Sequence, residues 1–302
     1  MEPGVHGSGP RRSTQPPCQR RVGMASQRLA SQNPRFANLD DAPMNADLEA
    51  GVQDLLTARA ARSIIPDLAG ARQPATQEDG YRMQAAAAER WDDRIVGWKV
   101  GATSKQVQAL FGVDGPLYGP VFAQTVAQSA ARWRVADFQH RMLESEFAFR
   151  FGRELPPRSQ PYTRDEVLDA VDALIPAIEI ISPRFDRLTA DRIPQLIADF
   201  AGNGGAVLGA PVTDWRSLDL PALPVELRID GVTKQAGTGA AVLGNPRNVL
   251  EWFVETFRAQ GRTIAQGLFV MTGTMTGIHT PAPGEQAVAD FGALGTVEVV
   301  FE

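Results

Sequence analysis

The segment Leu143–Phe151 reads Leu-Glu-Ser-Glu-Phe-Ala-Phe-Arg-Phe, which places two carboxylates two positions apart in a run of aromatic residues. If the segment is a β-strand, its side chains alternate between two faces, so Glu144 and Glu146 point the same way and lie about 6–7 Å apart. Two carboxylates beside phenylalanines are costly to bury without a cation nearby. A basic side chain, open water, or a divalent ion such as Mg²⁺ or Mn²⁺ could meet this need.

A third carboxylate, Glu179, lies in the apolar run Ile175–Ile181, which reads as a buried strand. A buried glutamate needs a partner or a shifted pKa, so Glu179 is a natural third ligand for an ion held by Glu144 and Glu146. Three carboxylates would leave about three of the six positions around an octahedral ion open to a chelating substrate. The alternative is a salt bridge from Glu179 to a basic residue such as Arg184, and the pattern alone does not choose between them.

Other catalytic patterns are weak. The glycines between Gly237 and Gly244 lack the spacing of a dinucleotide-binding loop, and no Lys-Ser or Lys-Thr pair follows them to make a phosphate loop. The chain has three histidines, of which only His140 and His279 lie outside the N-terminal segment. No Gly-x-Ser-x-Gly sequence is present, so serine hydrolysis is not indicated.

The helices that position these residues begin at recognisable caps. Asp47 starts a segment with apolar residues at helical spacing, and Thr76 precedes a second helix with a capping pattern. Thr163 opens a third, whose apolar face is expected to carry Val167, Ala170, Val171 and Leu174. Asn245 and Pro246 begin a fourth, which is expected to stop at Gly261.

Short strands and glycine-rich turns dominate the chain after Trp91. Strands are predicted within 95–104, 117–122, 143–152, 175–181, 224–231, 268–273 and 296–301, and 202–209 is predicted as a loop. The helices and strands do not alternate regularly, so the fold class is predicted as α+β.

The composition fits an enzyme or binding protein of the cytoplasm. The 302 residues carry a net charge of -5 and no basic stripe that would predict nucleic-acid binding, and the single cysteine, Cys18, allows no internal disulfide. No apolar run approaches the roughly 18 residues of a membrane helix. Residues 1–43 are rich in Pro, Ser, Gln and Arg and are predicted to be a disordered extension, followed by a helical section at 44–95 and a β-rich catalytic domain at 96–302.

Six short blocks of this sequence resemble, in order, the 2-keto-4-pentenoate hydratase and 4-oxalocrotonate decarboxylase family, which has the fumarylacetoacetate hydrolase-like fold. The blocks are Gly97-Trp-Lys-Val-Gly-Ala-Thr-Ser104, Phe111-Gly-Val-Asp-Gly-Pro-Leu-Tyr-Gly119, Leu143-Glu-Ser-Glu-Phe-Ala-Phe149, Ala177-Ile-Glu-Ile180, Gly239-Ala-Ala-Val-Leu-Gly-Asn-Pro246 and Thr272-Gly-Thr274. The resemblance spans residues 44 to 302 and implies a mixed β-roll or sandwich with a small N-terminal helical section.

The resemblance also implies a site and a reaction. The metal ligands for Mg²⁺ or Mn²⁺ would be Glu144, Glu146 and Glu179, with Lys99 as the catalytic residue. The substrate-binding residues would be Thr103, Ser104, Thr272 and Gly273. The implied activity is hydration of a 2-hydroxy-2,4-dienoate, or of its 2-oxo tautomer, in the meta-cleavage catabolism of aromatic compounds, by a homo-oligomer.

Three other functions stay open from the sequence. One is decarboxylation of a 2-oxo-dioate such as 4-oxalocrotonate, and another is C–C bond hydrolysis, which would have to use His140 or His279. The third is a non-catalytic relative that stabilises a partner decarboxylase or hydratase. Two departures from the family keep this third reading open, because Ser182 replaces an aspartate and Phe200 a polar residue. If Phe200 faces the site, it would make the far end of the substrate drier.

Overall fold

The computed structural model describes Met1 and residues 44–187 and 189–302, so residues 2–43 of the predicted extension lie outside the described residues. The helices of the described chain are α1 (Ala46–Ala60), α2 (Gln77–Arg90), α3 (Lys105–Phe111), α4 (Arg164–Asp169), α5 (Ile193–Ala198) and α6 (Pro246–Ala259). The predicted caps are confirmed, because the side chains of Thr76, Thr163 and Asn245 each accept a hydrogen bond from a backbone N–H of the first turn. Within the described residues, no helix has the length and apolar character needed to span a membrane.

Two mixed β-sheets form the body of the protein. Their strands are β1 (Ile95–Gly101), β2 (Leu117–Phe122), β3 (Val126–Gln128), β4 (Ala131–Trp133), β5 (Met142–Phe151), β6 (Val171–Ile181), β7 (Asn203–Leu208), β8 (Pro224–Ile229), β9 (Val232–Thr238), β10 (Phe269–Met271), β11 (Gln286–Asp290) and β12 (Thr296–Phe301). The larger sheet has the order β2-β1-β10-β5-β6-β7-β3, and the smaller has the order β4-β12-β11-β8-β9. The predicted α+β class is confirmed.

Two local predictions were wrong. The helix that begins after Thr163 ends at Asp169, and Val171 and Leu174 belong to β6, where they pair with Phe151 and Phe149 of β5. The segment predicted as a loop at 202–209 contains β7, which pairs with β6 on one side and with β3 on the other. In both places, pairing with a neighbouring strand outweighs the local pattern of apolar residues and glycines.

The two faces of β5 have different surroundings. Leu143, Phe147, Phe149 and Phe151 are all buried in the main hydrophobic core. The apolar face of α6 belongs to the same core, where the ring of Phe257 lies 4.9 Å from that of Trp98 on β1. Because side chains alternate along a strand, Trp98 anchors β1 to α6 and its neighbour Lys99 projects from the opposite face. Packing on one side of the sheet thus fixes the polar residues on the other.

A close backbone approach holds the turn that follows α5 against β2. Gly119 is the partner of Lys99 in the pairing of β2 with β1, and a Cβ at Gly119 would lie 2.2 Å from the carbonyl oxygen of Phe200. Phe200 and Ala201 both have positive φ, at 56° and 51°, a conformation that residues other than glycine rarely adopt. The turn keeps this conformation only while β2 leaves room for it.

We therefore expect Gly119→Ala to lower the free energy of unfolding by about 1–3 kcal/mol, because the added methyl group must displace backbone atoms. Gly115→Ala is the matched control, since a Cβ there would meet only the indole nitrogen of Trp252, at 4.0 Å. Urea unfolding followed by circular dichroism measures both variants. Equal stability of the two variants would show that the turn moves freely.

Candidate metal and substrate site

The three predicted metal ligands come together at adjacent strands. Glu144 and Glu146 lie on β5, and Glu179 on β6 is the direct cross-strand partner of Glu144. One carboxylate oxygen from each residue lies within 4.8 Å of the others, and all three side chains are buried. The strand predicted from the alternation of glutamates and aromatics is confirmed, and it directs both of its glutamates to the same face.

Each of the two most buried carboxylates has one oxygen held by the protein and one without a partner. The backbone N–H of Gly273 donates to Glu146 Oε2 at 2.7 Å, and Asn203 Nδ2 donates to Glu179 Oε1 at 3.0 Å. Glu146 Oε1 and Glu179 Oε2 have no hydrogen-bond partner among the described residues. Buried carboxylate oxygens without donors are unfavourable, so this arrangement fits a divalent cation with oxygen ligands.

Lys99 is the cation that the structure places beside the triad. Its Nζ lies 3.4 Å from Glu179 Oε1 and donates to the carbonyl oxygen of Ala201 at 3.3 Å. Glu179 therefore has the salt bridge to a basic residue that was the alternative to a metal, but its partner is Lys99. Arg184 was the wrong example, because its guanidinium donates to the carbonyl and hydroxyl oxygens of Ser182. Three carboxylates against one ammonium leave two negative charges, the charge that a divalent ion would balance.

Burial and the proximity of like and opposite charges shift the pKa values of Glu144, Glu146 and Lys99. Burial, and after it the charge of Glu179, together raise the pKa of Glu144 to about 7. Burial and the neighbouring glutamates also raise the pKa of Glu146 well above its usual value. Burial opposes the charge of Lys99, but the carboxylates of Glu179, Glu144 and Glu146 outweigh it, so the pKa of Lys99 is raised. Without a further cation the glutamates hold protons more tightly than usual, and Lys99 stays charged at neutral pH.

The triad opens onto a cavity of about 350 Å³ through Glu144 and Lys99. Five small residues also line the cavity: Gly101, Ala102, Ala201, Thr274 and Gly277. The rest of the wall is apolar and consists of Val107, Leu110, Phe111, Leu117, Ile181, Leu196 and Ile278. The cavity therefore combines two charged side chains, Glu144 and Lys99, with a mostly apolar lining to which α3 contributes three residues.

The four residues predicted to bind substrate are chain neighbours of cavity-lining residues, because Thr103 and Ser104 follow Ala102, and Thr272 and Gly273 precede Thr274. Gly273 has a φ of 95°, and a Cβ there would lie 2.0 Å from Thr103 Oγ1, so the two residues pack directly together. Thr272 Oγ1 donates to the carbonyl oxygen of Phe147 at 3.0 Å, and Ser104 caps α3 by accepting from the N–H of Val107 at 3.2 Å. None of the four is among the cavity-lining residues of the described chain, and direct contact with a substrate stays a prediction.

The structure also corrects the expectation for Phe200. Its ring packs 4.9 Å from Phe122 and lies under the guanidinium of Arg59 at 4.5 Å, so it does not line the cavity. Neither His140 nor His279 lines the cavity, and His140 Nε2 lies 2.9 Å from the carbonyl oxygen of Phe185. Among the described residues, no histidine lines this cavity that could serve the C–C bond hydrolysis considered from the sequence.

Sequence reasoning missed two polar contacts of the site. Asn203 was assigned to a loop, although it begins β7 and holds Glu179. The carbonyl oxygen of Ala201 receives Lys99 only because the turn after α5 has left-handed backbone angles. The glycine-rich segment at 202–205 was the only available signal, since such glycines often mark close backbone approach.

Comparisons with known proteins agree on the family and fold. The profile of the fumarylacetoacetate (FAA) hydrolase C-terminal family matches residues 104–302. The chain is 32% identical over 228 residues to 2-keto-4-pentenoate hydratase of Paraburkholderia xenovorans (strain LB400), covering 74% of this chain and 84% of that protein. It is 29% identical over 229 residues to 4-oxalocrotonate decarboxylase of Pseudomonas putida, covering 75% and 86%. Both relatives are lyases.

Among solved structures, 4-oxalocrotonate decarboxylase from Pseudomonas putida G7 superposes with a TM-score of 0.78 at 24% identity, covering 87% of this chain and 100% of that one. That protein has been solved with calcium and acetate, and also with magnesium and adipate. The superposition confirms the predicted fumarylacetoacetate hydrolase-like fold.

We expect each of Glu144→Gln, Glu146→Gln and Glu179→Gln to weaken Mg²⁺ or Mn²⁺ binding at least tenfold. The substitution keeps the side-chain shape and removes one charged oxygen ligand. Glu154→Gln, at an exposed position, is the control and should bind metal like the unsubstituted protein. Isothermal titration calorimetry measures the affinities. Unchanged binding in all three triad variants would disprove the ligand assignment.

Proposed function

Since the chain belongs to the fumarylacetoacetate hydrolase family, we propose that it is a divalent-metal-dependent hydratase of 2-hydroxy-2,4-dienoates in aromatic meta-cleavage catabolism. The observation that supports this most directly is the cavity lined by Lys99 and by Glu144 of the buried acidic triad, with a mostly apolar wall. Such a cavity suits a small molecule with one oxygen-rich end and one hydrocarbon end.

Glu144, Glu146 and Glu179 are the proposed ligands of Mg²⁺ or Mn²⁺. Gly273 and Asn203 orient two of them, because each donates to one carboxylate oxygen and leaves the other free. When bound, the ion would supply Lewis-acid stabilisation of negative charge on the 2-oxygen of the substrate. The carboxylate and 2-oxygen of the substrate then belong at the triad end, with the diene extending under α3.

Lys99 is the proposed proton-transfer residue. Hydration of the diene adds a proton and a hydroxide from water to its distal carbons, so the site needs a group that can hold and release a proton. Lys99 Nζ is fixed by Glu179 and by the carbonyl oxygen of Ala201, at the wall of the cavity. Thr103, Ser104, Thr272 and Gly273 are proposed to shape the substrate-binding end around this group.

Decarboxylation of a 2-oxo-dioate is the second candidate, supported by the similarity to 4-oxalocrotonate decarboxylase. That reaction would place a second carboxylate at the far end of the cavity. Among the described residues, the cavity lining holds no basic side chain besides Lys99, and most of the rest of the wall is apolar. A carboxylate there would lose hydration without gaining a partner, so the wall favours a substrate with one carboxylate.

The non-catalytic alternative has less support than either reaction. Ser182 and Phe200 motivated it, and neither residue lines the cavity. The triad and Lys99 are all present and in contact. We also propose a homo-oligomer of the cytoplasm, as the resemblance implies, which size-exclusion chromatography with light scattering would test for subunit number.

We expect Lys99→Met to lower metal-dependent turnover of 2-hydroxypenta-2,4-dienoate by on the order of 10²-fold or more, the usual scale for losing a general acid or base. Loss of ultraviolet absorbance by the diene measures the rate. Lys234→Met, which removes an exposed lysine on β9, is the control and should keep full activity. Full activity of Lys99→Met would remove Lys99 from the mechanism.

Hydration and decarboxylation can be distinguished by measuring which of the two substrates the protein consumes. We expect the diene monoacid to be hydrated and 4-oxalocrotonate to release little CO₂, because the described cavity lining has no basic side chain besides Lys99 to pair with a second carboxylate. Leu196→Arg places a cation in the cavity wall. It should therefore lower the ratio of the rate of diene hydration to the rate of CO₂ release from 4-oxalocrotonate. CO₂ release from the dioate without hydration of the diene would establish the decarboxylase instead. No turnover of either substrate with Mg²⁺ or Mn²⁺ would leave the non-catalytic role.

A further inference from the structure

A second cavity, of about 370 Å³, shares no lining residue with the catalytic cavity. We call it the arginine cavity, because Arg59, Arg62, Arg134 and Arg184 all line it. The aromatic rings of Trp91, Phe122, Trp133 and Phe138 complete much of its wall. A wall of guanidinium groups and flat rings has no role in the proposed hydration.

The acidic residues around this cavity do not balance its arginines. Asp199 pairs with Arg59 at 2.7 Å and also accepts a hydrogen bond from the backbone N–H of Arg184 at 2.6 Å. Asp137 pairs with both Arg62 and Arg134, at 2.7 and 2.6 Å.

Asp93, which lines the cavity with Asp137, accepts hydrogen bonds from the backbone N–H groups of Arg94 and Gln124. Asp199 does not line the cavity, but even when it is counted, the four lining arginines are matched by three carboxylates, which leaves an excess of one positive charge.

Arg184 carries the unbalanced charge. Its side chain is 4% exposed, and its guanidinium donates only to the carbonyl and hydroxyl oxygens of Ser182 among the described residues. Its Nε has no partner there, and neither does the indole nitrogen of Trp133 on the same cavity wall. Burial and the charge of Arg59 lower the pKa of Arg184 to about 10, although the carboxylate of Asp199 raises it, so Arg184 remains a cation at neutral pH. Among the described residues no carboxylate accepts a hydrogen bond from its guanidinium, and a buried cation without a directly paired anion is unfavourable.

Ser182 is the residue that the Arg184 guanidinium contacts. Its hydroxyl lies 3.0 Å from Arg184 Nη2. An aspartate side chain there would reach the guanidinium and pair with it. In this chain the position is filled by a neutral hydroxyl, so any compensating carboxylate has to come from outside the described residues.

We propose that the arginine cavity binds a small organic monocarboxylate with a flat, apolar body. The carboxylate would pair with Arg184, whose bidentate geometry suits it, and the body would contact the aromatic wall. One negative charge matches the excess charge of the cavity. The site is separate from the metal triad, although Asn203 lines it and donates to Glu179.

Benzoate is the probe, and its neutral counterpart benzamide is the control ligand. Calorimetry and tryptophan fluorescence are measured on the full-length protein with Mg²⁺, since Trp91 and Trp133 line the cavity. Benzoate should bind at least tenfold more tightly than benzamide or inorganic phosphate. Equal binding of benzamide would refute the charge argument, equal binding of phosphate would refute the assignment to a carboxylate, and absence of benzoate binding would refute the site.

Three variants locate the bound carboxylate. Ser182→Asp supplies the missing charge internally and Arg184→Met removes the cation, so each should weaken benzoate binding at least tenfold, whereas Lys99→Met in the catalytic cavity should leave it unchanged. Ser182→Asp should also raise the melting temperature. If Ser182→Asp does not fold, Arg184→Met still decides the assignment. Loss of binding in Lys99→Met alone would place benzoate at the metal site and overturn the proposal.

Discussion

Three carboxylates buried within 4.8 Å of one another are the constraint on which the rest of this structure depends. Like charges at that distance repel, and burial removes the water that would screen them. The protein meets part of this cost with Lys99 and with donors from Gly273 and Asn203. Among the described residues, two carboxylate oxygens have no partner, and two negative charges remain uncompensated when all three glutamates are ionised. These uncompensated carboxylates suit a divalent cation. Neutral residues at the same positions could not bind one.

The strand order of the larger sheet brings these groups together. β10 lies between β1 and β5, so Lys99 is separated from the glutamates of β5 by one short strand that ends at Met271. The chain then continues along β5, and the N–H of Gly273 reaches Glu146. On the other side, β6 and β7 supply Glu179 and Asn203. The site is thus built across five neighbouring strands, which hold it more rigidly than loops would.

The same sheet separates apolar packing from polar chemistry. Trp98 and the phenylalanines of β5 fill the core on one face, and the next residues along each strand project to the triad. The turn at Phe200 and Ala201 closes the site against β2, where Gly119 leaves room for its backbone. Phe200 contributes packing with Arg59 and Phe122, while the backbone of Ala201 contributes the acceptor for Lys99.

The sequence alone determined the parts that depend on local pattern. The alternation in Leu143–Phe151 predicted a strand with both glutamates on one face, and the caps at Thr76, Thr163 and Asn245 predicted where three helices begin. These features follow from side-chain periodicity and from hydrogen bonds within a few residues, so no distant contact is needed to see them. Glu179 was selected because a lone glutamate in an apolar strand needs a partner.

Only the tertiary structure decided which partner each group has. Strand pairing placed Lys99 rather than Arg184 beside Glu179, turned 203–208 into β7, and ended α4 early to extend β6. It also directed Phe200 away from the catalytic cavity. Arg184 lines the arginine cavity, and its guanidinium donates to Ser182. These outcomes depend on contacts between residues far apart in the chain, and local spacing carries no information about which distant segments will pair.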